Sequence, residues 1–454
     1  MTVGGRLLKF HPATLVLTSF MLVIAIGTLL LKLPVATHTG HISWSDALFT
    51  ATSGVCVTGL AVVDTGSTFT LFGQCVLLAL IQIGGLGLMT ISVTLFTWVG
   101  RSISIRHRMV MQDLFAHTPR ADIYSLVKSI VLFTAAAEIA GGLVLTLFWH
   151  REMPWGQAAY NGIFHSVSAF CNAGFALFPD SMMRYSGDLL LNITMCSLIV
   201  IGGIGFPVLY DLQCWVKFRK RQRCRLSVQT KTVLLTTAIL IVGGAVLFSL
   251  LEQFPAGDGS SLGHRLMVPL FQSVTCRTAG FNTVDIAGLK DATLAMMIFL
   301  MFVGASPGSC GGGVKTTTLA LLAAFTAGRW RRRRRVDLFK KSIPQETVIR
   351  SVALVLVTIG IIALVLFLLL AGNAELPSHQ ARGVFLPLLF ETVSAFGTVG
   401  LSMGVTPQLG LWGKCWIMAV MLIGRVGVLT FAYIFVGAGM VDGIEHAEEN
   451  LMIG

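Results

Sequence analysis

The segment from Ser351 to Gly372 runs 22 residues without one charged side chain. As a helix rising about 1.5 Å per residue it is long enough to cross a hydrocarbon core about 30 Å thick. A membrane barrel would instead show alternating segments of about ten residues. Composition agrees: the chain is 54% hydrophobic and 12% charged, about half the charge of a soluble domain. An ordinary soluble protein is excluded, and an all-α membrane protein is expected.

Scanning for similar runs gives eight candidate spans, at 13–33, 71–99, 126–149, 188–216, 232–252, 292–327, 348–371 and 411–438. The first follows Arg6 and Lys9 as a signal peptide would, but it exceeds an h-region of about 7 to 15 residues and reads as an uncleaved span. The sixth is interrupted by a glycine-rich stretch, Gly304 to Gly313. Nine cysteines, an odd number without CxxC spacing, read as reduced small hydrophobes rather than disulfides or a zinc site.

Lysine and arginine concentrate in three of the connecting segments. Arg101, Arg106, Arg108 and Arg120 follow the second span, Lys217 to Lys231 hold seven more, and Arg329, Arg331 to Arg335, Lys340 and Lys341 follow the sixth. The positive-inside rule makes these segments and both termini cytoplasmic. The net charge of +12 is thus mostly topology. Beside a membrane span, the run Arg331 to Arg335 points to anionic lipid headgroups or an acidic protein partner rather than to nucleic acid.

The four segments left outside share one pattern. They read Phe49 to Gly59, Phe164 to Gly174, Phe271 to Gly280 and Phe390 to Gly400, with the glycines recurring at intervals of 115, 106 and 120 residues. A second landmark follows each: Gly84-Gly-Leu-Gly87, Gly202-Gly-Ile-Gly205, the stretch Gly304 to Gly313, and Gly424-Arg-Val-Gly427. The chain reads as span, short helix with loop, span, written four times: 12–100, 120–217, 230–328 and 346–438, with a cytoplasmic tail at 439–454.

Non-helical backbone at membrane depth survives only where it lines water or is buried in protein. Four such loops around one axis would present carbonyl oxygens to a common centre, replacing the hydration shell of a monovalent cation. Ser53, Ser168, Thr275 and Ser394 stand where they can bond the loop backbone. Close helix packing through small residues is the alternative for the loop glycines, and the favoured reading for the GGLG and GGIG motifs.

Val57-Thr58-Gly59, Asn172-Ala173-Gly174, Thr278-Ala279-Gly280 and Thr398-Val399-Gly400 resemble the filter motifs of the potassium transporter superfamily that includes TrkH, KtrB and plant HKT proteins, the KtrB type most closely. The resemblance spans nearly the whole chain. It implies eight transmembrane helices around one central pore, potassium held at these twelve residues mainly by backbone carbonyls, and no bound organic cofactor. Gly59 stands where sodium-preferring members carry serine, which favours potassium. The third loop is one residue shorter and Asn172-Ala173 departs from Thr398-Val399, so strict four-fold symmetry is not expected. The resemblance further implies a homodimer in the plasma (inner) membrane docked on a cytosolic nucleotide-binding ring resembling KtrA; no fused soluble regulatory domain is expected.

A similar loop in the family serves as an intramembrane gate, which assigns that role to Gly304, Ala305, Ser306, Pro307, Gly308, Ser309, Cys310, Gly311, Gly312 and Gly313. A passive kink is the alternative. The same stretch followed by Lys315 looks like a Walker loop, but Val314 separates glycine from lysine and no strand precedes it. Arg425 is a charge within a span and so a functional hypothesis by default; it is expected to reach the loop, Glu138 being the one carboxylate available nearby. Arg277 is expected to brace the third loop against Glu391 or Asp285. A potassium-conducting subunit is the leading function, a sodium-conducting relative the alternative, and a membrane enzyme a distant one, since no catalytic constellation is evident.

Overall fold

The computed structural model describes residues 12–87, 123–218, 226–252, 262–333, 335–372, 383–428 and 431. The basic segment at 101–120, most of the second one, both chain ends and the tail at 439–454 lie outside the described residues.

The first unit holds α1 (Pro12–Leu31), α2 (Trp44–Cys56) and α3 (Leu71–Leu86). The second holds α4 (Ile123–Trp149), α5 (Trp155–Phe170), α6 (Leu189–Ile204) and α7 (Phe206–Phe218). The third holds α8 (Val228–Glu252), α9 (Leu262–Thr275), α10 (Asp291–Phe302) and α11 (Thr316–Trp330). The fourth holds α12 (Gln345–Gly372), α13 (Phe385–Gly397) and α14 (Leu411–Val426). Capping residues start several of these helices: Ser43 Oγ accepts from the Asp46 amide at 3.0 Å and Thr70 Oγ1 from the Gly73 amide at 3.4 Å, filling donors that a helix N-terminus leaves open.

Among the described residues α4, α8 and α12 are each long and apolar enough to cross a bilayer. Their outer faces are apolar: Leu132 is 67% exposed, Leu250 63% and Phe367 65%. Water would not leave such side chains uncovered, whereas lipid costs them nothing. Polar side chains turn inward instead, with Thr52, Ser168, Thr275 and Thr392 all buried.

Two features depart from the sequence expectation. The run at 188–216 is not one continuous span: α6 ends at Ile204 and α7 leaves it at 98°. Gly205, at φ +101°, makes the turn. A short antiparallel hairpin, Val336–Leu338 (β1) with Lys341–Ile343 (β2), joins α11 to α12, the one strand pair among the described residues. Its turn uses Phe339 and Lys340 at positive φ.

The third helix of each unit stops at the same register. Leu86, Ile204 and Val426 are followed by Gly87, Gly205 and Gly427, at φ +81°, +101° and +96°, and α10 stops at Phe302 just before the glycine-rich stretch. The first glycine of each motif serves the packing role expected of it. Cβ atoms at Gly84, Gly202 and Gly424 would collide with the carbonyls of Val55, Phe170 and Phe396. One motif therefore seats the third helix against the end of the short helix and then terminates it.

Candidate functional site

Each short helix ends a few residues before its repeated glycine. Phe49, Phe164, Phe271 and Phe390, one in each short helix, are fully buried. They anchor the four helices in the core so that their C-termini converge. The partial negative charge at a helix C-terminus favours a cation there.

Beyond the helix ends the chain alternates in handedness. Val57, Asn172, Thr278 and Thr398 have φ of +56°, +60°, +115° and +49°, and Gly59, Gly174, Gly280 and Gly400 have φ of +87°, +70°, +79° and +93°. The residue between each pair has an ordinary negative φ. The shorter third loop keeps this pattern. Three of the non-glycine residues are β-branched, for which positive φ costs on the order of 1–3 kcal/mol and persists only where surroundings impose it.

The four glycines form a closed ring. A Cβ at Gly174 would lie 2.7 Å from the Ala279 carbonyl oxygen and 2.9 Å from Gly280 Cα. One at Gly59 would lie 3.1 Å from Gly174 Cα, one at Gly280 3.3 Å from Gly400 Cα, and one at Gly400 3.0 Å from Gly59 Cα. The carbonyls of Ala173, Val399 and Thr58 likewise occupy the space that a side chain at Gly59, Gly280 or Gly400 would need. Only glycine fits at these contacts.

Hydroxyls hold the segments. Ser53 Oγ accepts from the Gly59 amide and Ser394 Oγ from the Gly400 amide, each at 3.1 Å. Ser168 Oγ donates to the Phe175 carbonyl at 2.8 Å and Thr275 Oγ1 to the Phe281 carbonyl at 2.7 Å. With its oxygen toward Thr278 Oγ1 at 3.0 Å, the Asn172 amide donates to Ala169 and Ile199 carbonyls at 2.9 and 3.1 Å. On one side the ring opens into a cavity of about 420 Å³ whose wall includes Asp64 and Asp285, negative charges that concentrate cations.

The stretch Gly304 to Gly313 packs directly against the ring segments. The Gly312 amide donates to Thr398 Oγ1 at 2.8 Å. A Cβ at Gly311 would lie 2.5 Å from Thr278 Oγ1. The loop is also laced to the break between α6 and α7: Ser306 and Cys310 amides donate to Gly203 and Gly202 carbonyls at 3.1 and 3.2 Å, and the Phe206 amide donates to the Gly308 carbonyl at 2.9 Å. Within the loop, the Ala305 amide donates to the Gly312 carbonyl at 3.2 Å, Ser309 Oγ to the Ser306 carbonyl at 2.6 Å, and Ser306 Oγ lies 2.9 Å from Thr316 Oγ1.

Arg425 projects from α14 into this junction. Its Nη1 donates to the Cys310 carbonyl and its Nη2 to the Gly84 carbonyl, with the Gly85 carbonyl at 3.5 Å. Its partners are thus carbonyls from two other units. Glu138 is not among them; it accepts from Gln82 Nε2 at 3.2 Å. The Arg277 expectation is corrected as well. Glu391 takes hydrogen bonds from Ser402 and Thr406, Asp285 accepts from the Ala287 amide at 3.1 Å, and Arg277 Nη2 points to Thr237 Oγ1 of α8 at 3.5 Å. Lys315 is a participant that sequence reasoning missed: its Nζ donates to the Gly311 and Gly312 carbonyls at 2.8 and 3.3 Å. The signal was available, since it is a charge within an expected span, like Arg425.

A helical membrane chain whose four inward segments close a ring over a laced intramembrane loop has the architecture of a cation transporter. The chain belongs to the TrkH family of cation transport proteins, whose family model matches residues 8–440. It is 39% identical over 432 residues to the Ktr system potassium uptake protein B of Bacillus subtilis (strain 168), covering 94% of this chain and 93% of that one. It is 34% identical over 454 residues to the potassium/sodium uptake protein NtpJ of Enterococcus hirae, covering 98% of each. The crystal structure of the potassium transporter TrkH from Vibrio parahaemolyticus shares the fold at a TM-score of 0.71 and 18% identity, covering 96% of this chain and 86% of that one.

Proposed function

We propose that this chain is the ion-conducting membrane subunit of a potassium uptake system, and that the ring at Gly59, Gly174, Gly280 and Gly400 is its selectivity filter. The ring closure carries the reading: each glycine abuts the next segment's backbone, so four chain segments share one constriction. Carbonyls around such a constriction replace the hydration of a monovalent cation. The relatives' names support potassium as the transported ion. Gly59 favours potassium over sodium, while NtpJ, a potassium/sodium uptake protein, keeps a mixed transporter as the second reading. The relatives are transport proteins, which leaves the enzyme alternative without support.

The finer organisation belongs to this proposal. Eight spans in four units surround one pore, both termini are cytoplasmic in the plasma (inner) membrane, and Gly304 to Gly313 with Arg425 and Lys315 form the gate. Two copies pair, and a cytosolic nucleotide-binding ring resembling KtrA regulates them. The test is flux into proteoliposomes containing the purified chain. Potassium uptake exceeding sodium uptake is expected; equal rates would favour the mixed reading, and no flux of either ion, in the parent or in a folded variant lacking part of Gly304 to Gly313, would refute conduction.

A further inference from the structure

One register position in the short helices does the same job with three different side chains. The residue after the repeated phenylalanine is Thr50, His165, Gln272 or Glu391. All four are buried, the last three at 0% exposure. Three of them reach across to the segment that leaves the ring. His165 Nε2 accepts from the Leu177 amide at 3.2 Å, Gln272 Nε2 donates to Thr283 Oγ1 at 3.1 Å, and Glu391 Oε2 accepts from Ser402 Oγ at 2.8 Å, with Thr406 Oγ1 on its other oxygen. Leu177 and Thr283 each stand three residues past their ring glycine, and Ser402 two past Gly400. Thr50 is the exception: its hydroxyl is buried without a hydrogen-bond partner, and the residue three past Gly59 is Val62.

We infer that this position holds positioning residues for the filter: in three units a buried polar side chain clamps the exit segment of its loop, and the first unit goes unclamped. The inference rests on the filter reading above. Two of the clamps have a second hold, Glu391 through Thr406 Oγ1 and His165 through its other nitrogen. His165 donates from Nδ1 to the Asn161 carbonyl at 2.8 Å, which leaves Nε2 as an acceptor, and its ring stacks on Phe178 at 5.1 Å. The ring carbonyls lie between two fixed points in these units, the short helix end and the clamped exit. A loop fixed at both ends keeps its carbonyl spacing when a smaller cation enters, and discrimination depends on that resistance.

The experiment measures potassium and sodium uptake by the reconstituted full chain carrying Gln272→Leu, Thr283→Val, Thr283→Ser, both Gln272→Leu and Thr283→Val, or Thr50→Val, each normalised to membrane protein. Gln272→Leu and Thr283→Val should each lower potassium-over-sodium discrimination about three- to tenfold, the scale of one net buried hydrogen bond. The pair should be no worse than the worse single variant, because both remove one interaction. Thr283→Ser keeps the hydroxyl and should keep discrimination, and Thr50→Val should change nothing. Thr283→Val leaves the short helix untouched and carries the test if Gln272→Leu does not fold. Unchanged discrimination in Thr283→Val overturns the inference, as does a Thr50→Val effect equal to that of Gln272→Leu. Gly59→Ser run alongside separates the readings: if it relaxes discrimination while Thr283→Val does not, the clamp fails and the filter stands; if neither does, the filter reading falls with it.

Discussion

Thr398 Oγ1 accepts the amide hydrogen of Gly312 at 2.8 Å, so the ring segment of the fourth unit is bonded to the loop of the third. The two parts are in direct contact through a hydroxyl buried at 0% exposure. Thr398→Val keeps the shape and removes the acceptor, leaving a buried amide unpaired at a cost of about 1–3 kcal/mol. Potassium flux through the variant should rise several-fold, because the closed loop loses one of its holds. Flux equal to the parent's at equal protein would show that this bond does not secure the loop.

Gly59→Ser adds a side chain where the Ala173 carbonyl already stands and where φ is +87°. The loop must shift its carbonyls to admit it. Discrimination between potassium and sodium should fall, about tenfold for a change near 1.4 kcal/mol. Competitive uptake of the two ions measures it, and an unaltered ratio would remove Gly59 from the filter.

Removing several residues from Gly304 to Gly313 should raise flux and lessen its dependence on a cytosolic partner. The loop lies against Thr278 and Thr398, where the proposed gate would obstruct an ion leaving the ring. A folded deletion variant that conducts less than the parent would mark the stretch as scaffold.

For Arg425, alanine removes both the donors to the Cys310 and Gly84 carbonyls and a charge that repels cations. Flux should increase while potassium preference is retained. Lysine keeps the charge but cannot span two carbonyls with a planar fork, so Arg425→Lys should fall between. Loss of selectivity without a gain in flux would place the residue in the filter's support instead.

Much of this arrangement is legible in the chain because the four units repeat a phenylalanine and a glycine at nearly constant spacing, and equal spacing brings equal parts together. The intramembrane loop is legible for a different reason: five glycines in ten residues do not make a helix. The bend at Gly205 is not legible, because Gly202-Gly-Ile-Gly205 satisfies a packing motif and the structure uses it for packing as well. The setting of Arg277 escapes because its partner carries no charge. Charge pairing points to Glu391 and Asp285, whereas its partner is the hydroxyl of Thr237, 40 residues earlier. Glu391 is occupied elsewhere by two hydroxyls that a sequence scan for ion pairs never considers.

The common stopping point of α3, α6, α10 and α14 has a mechanical consequence. A continuous helix transmits torque along its length, because every turn is bonded to the next. Here each of these helices ends at the corresponding position of its unit, at Gly87, Gly205, Val303 and Gly427, and α7 follows α6 across such a break. Twist along α7 meets at Gly205 a single backbone where rotation costs little, instead of an unbroken helical ladder running on into α6. At this break the part packed against its short helix is separated from the part beyond it, as a joint isolates a lens from the hand that turns its mount.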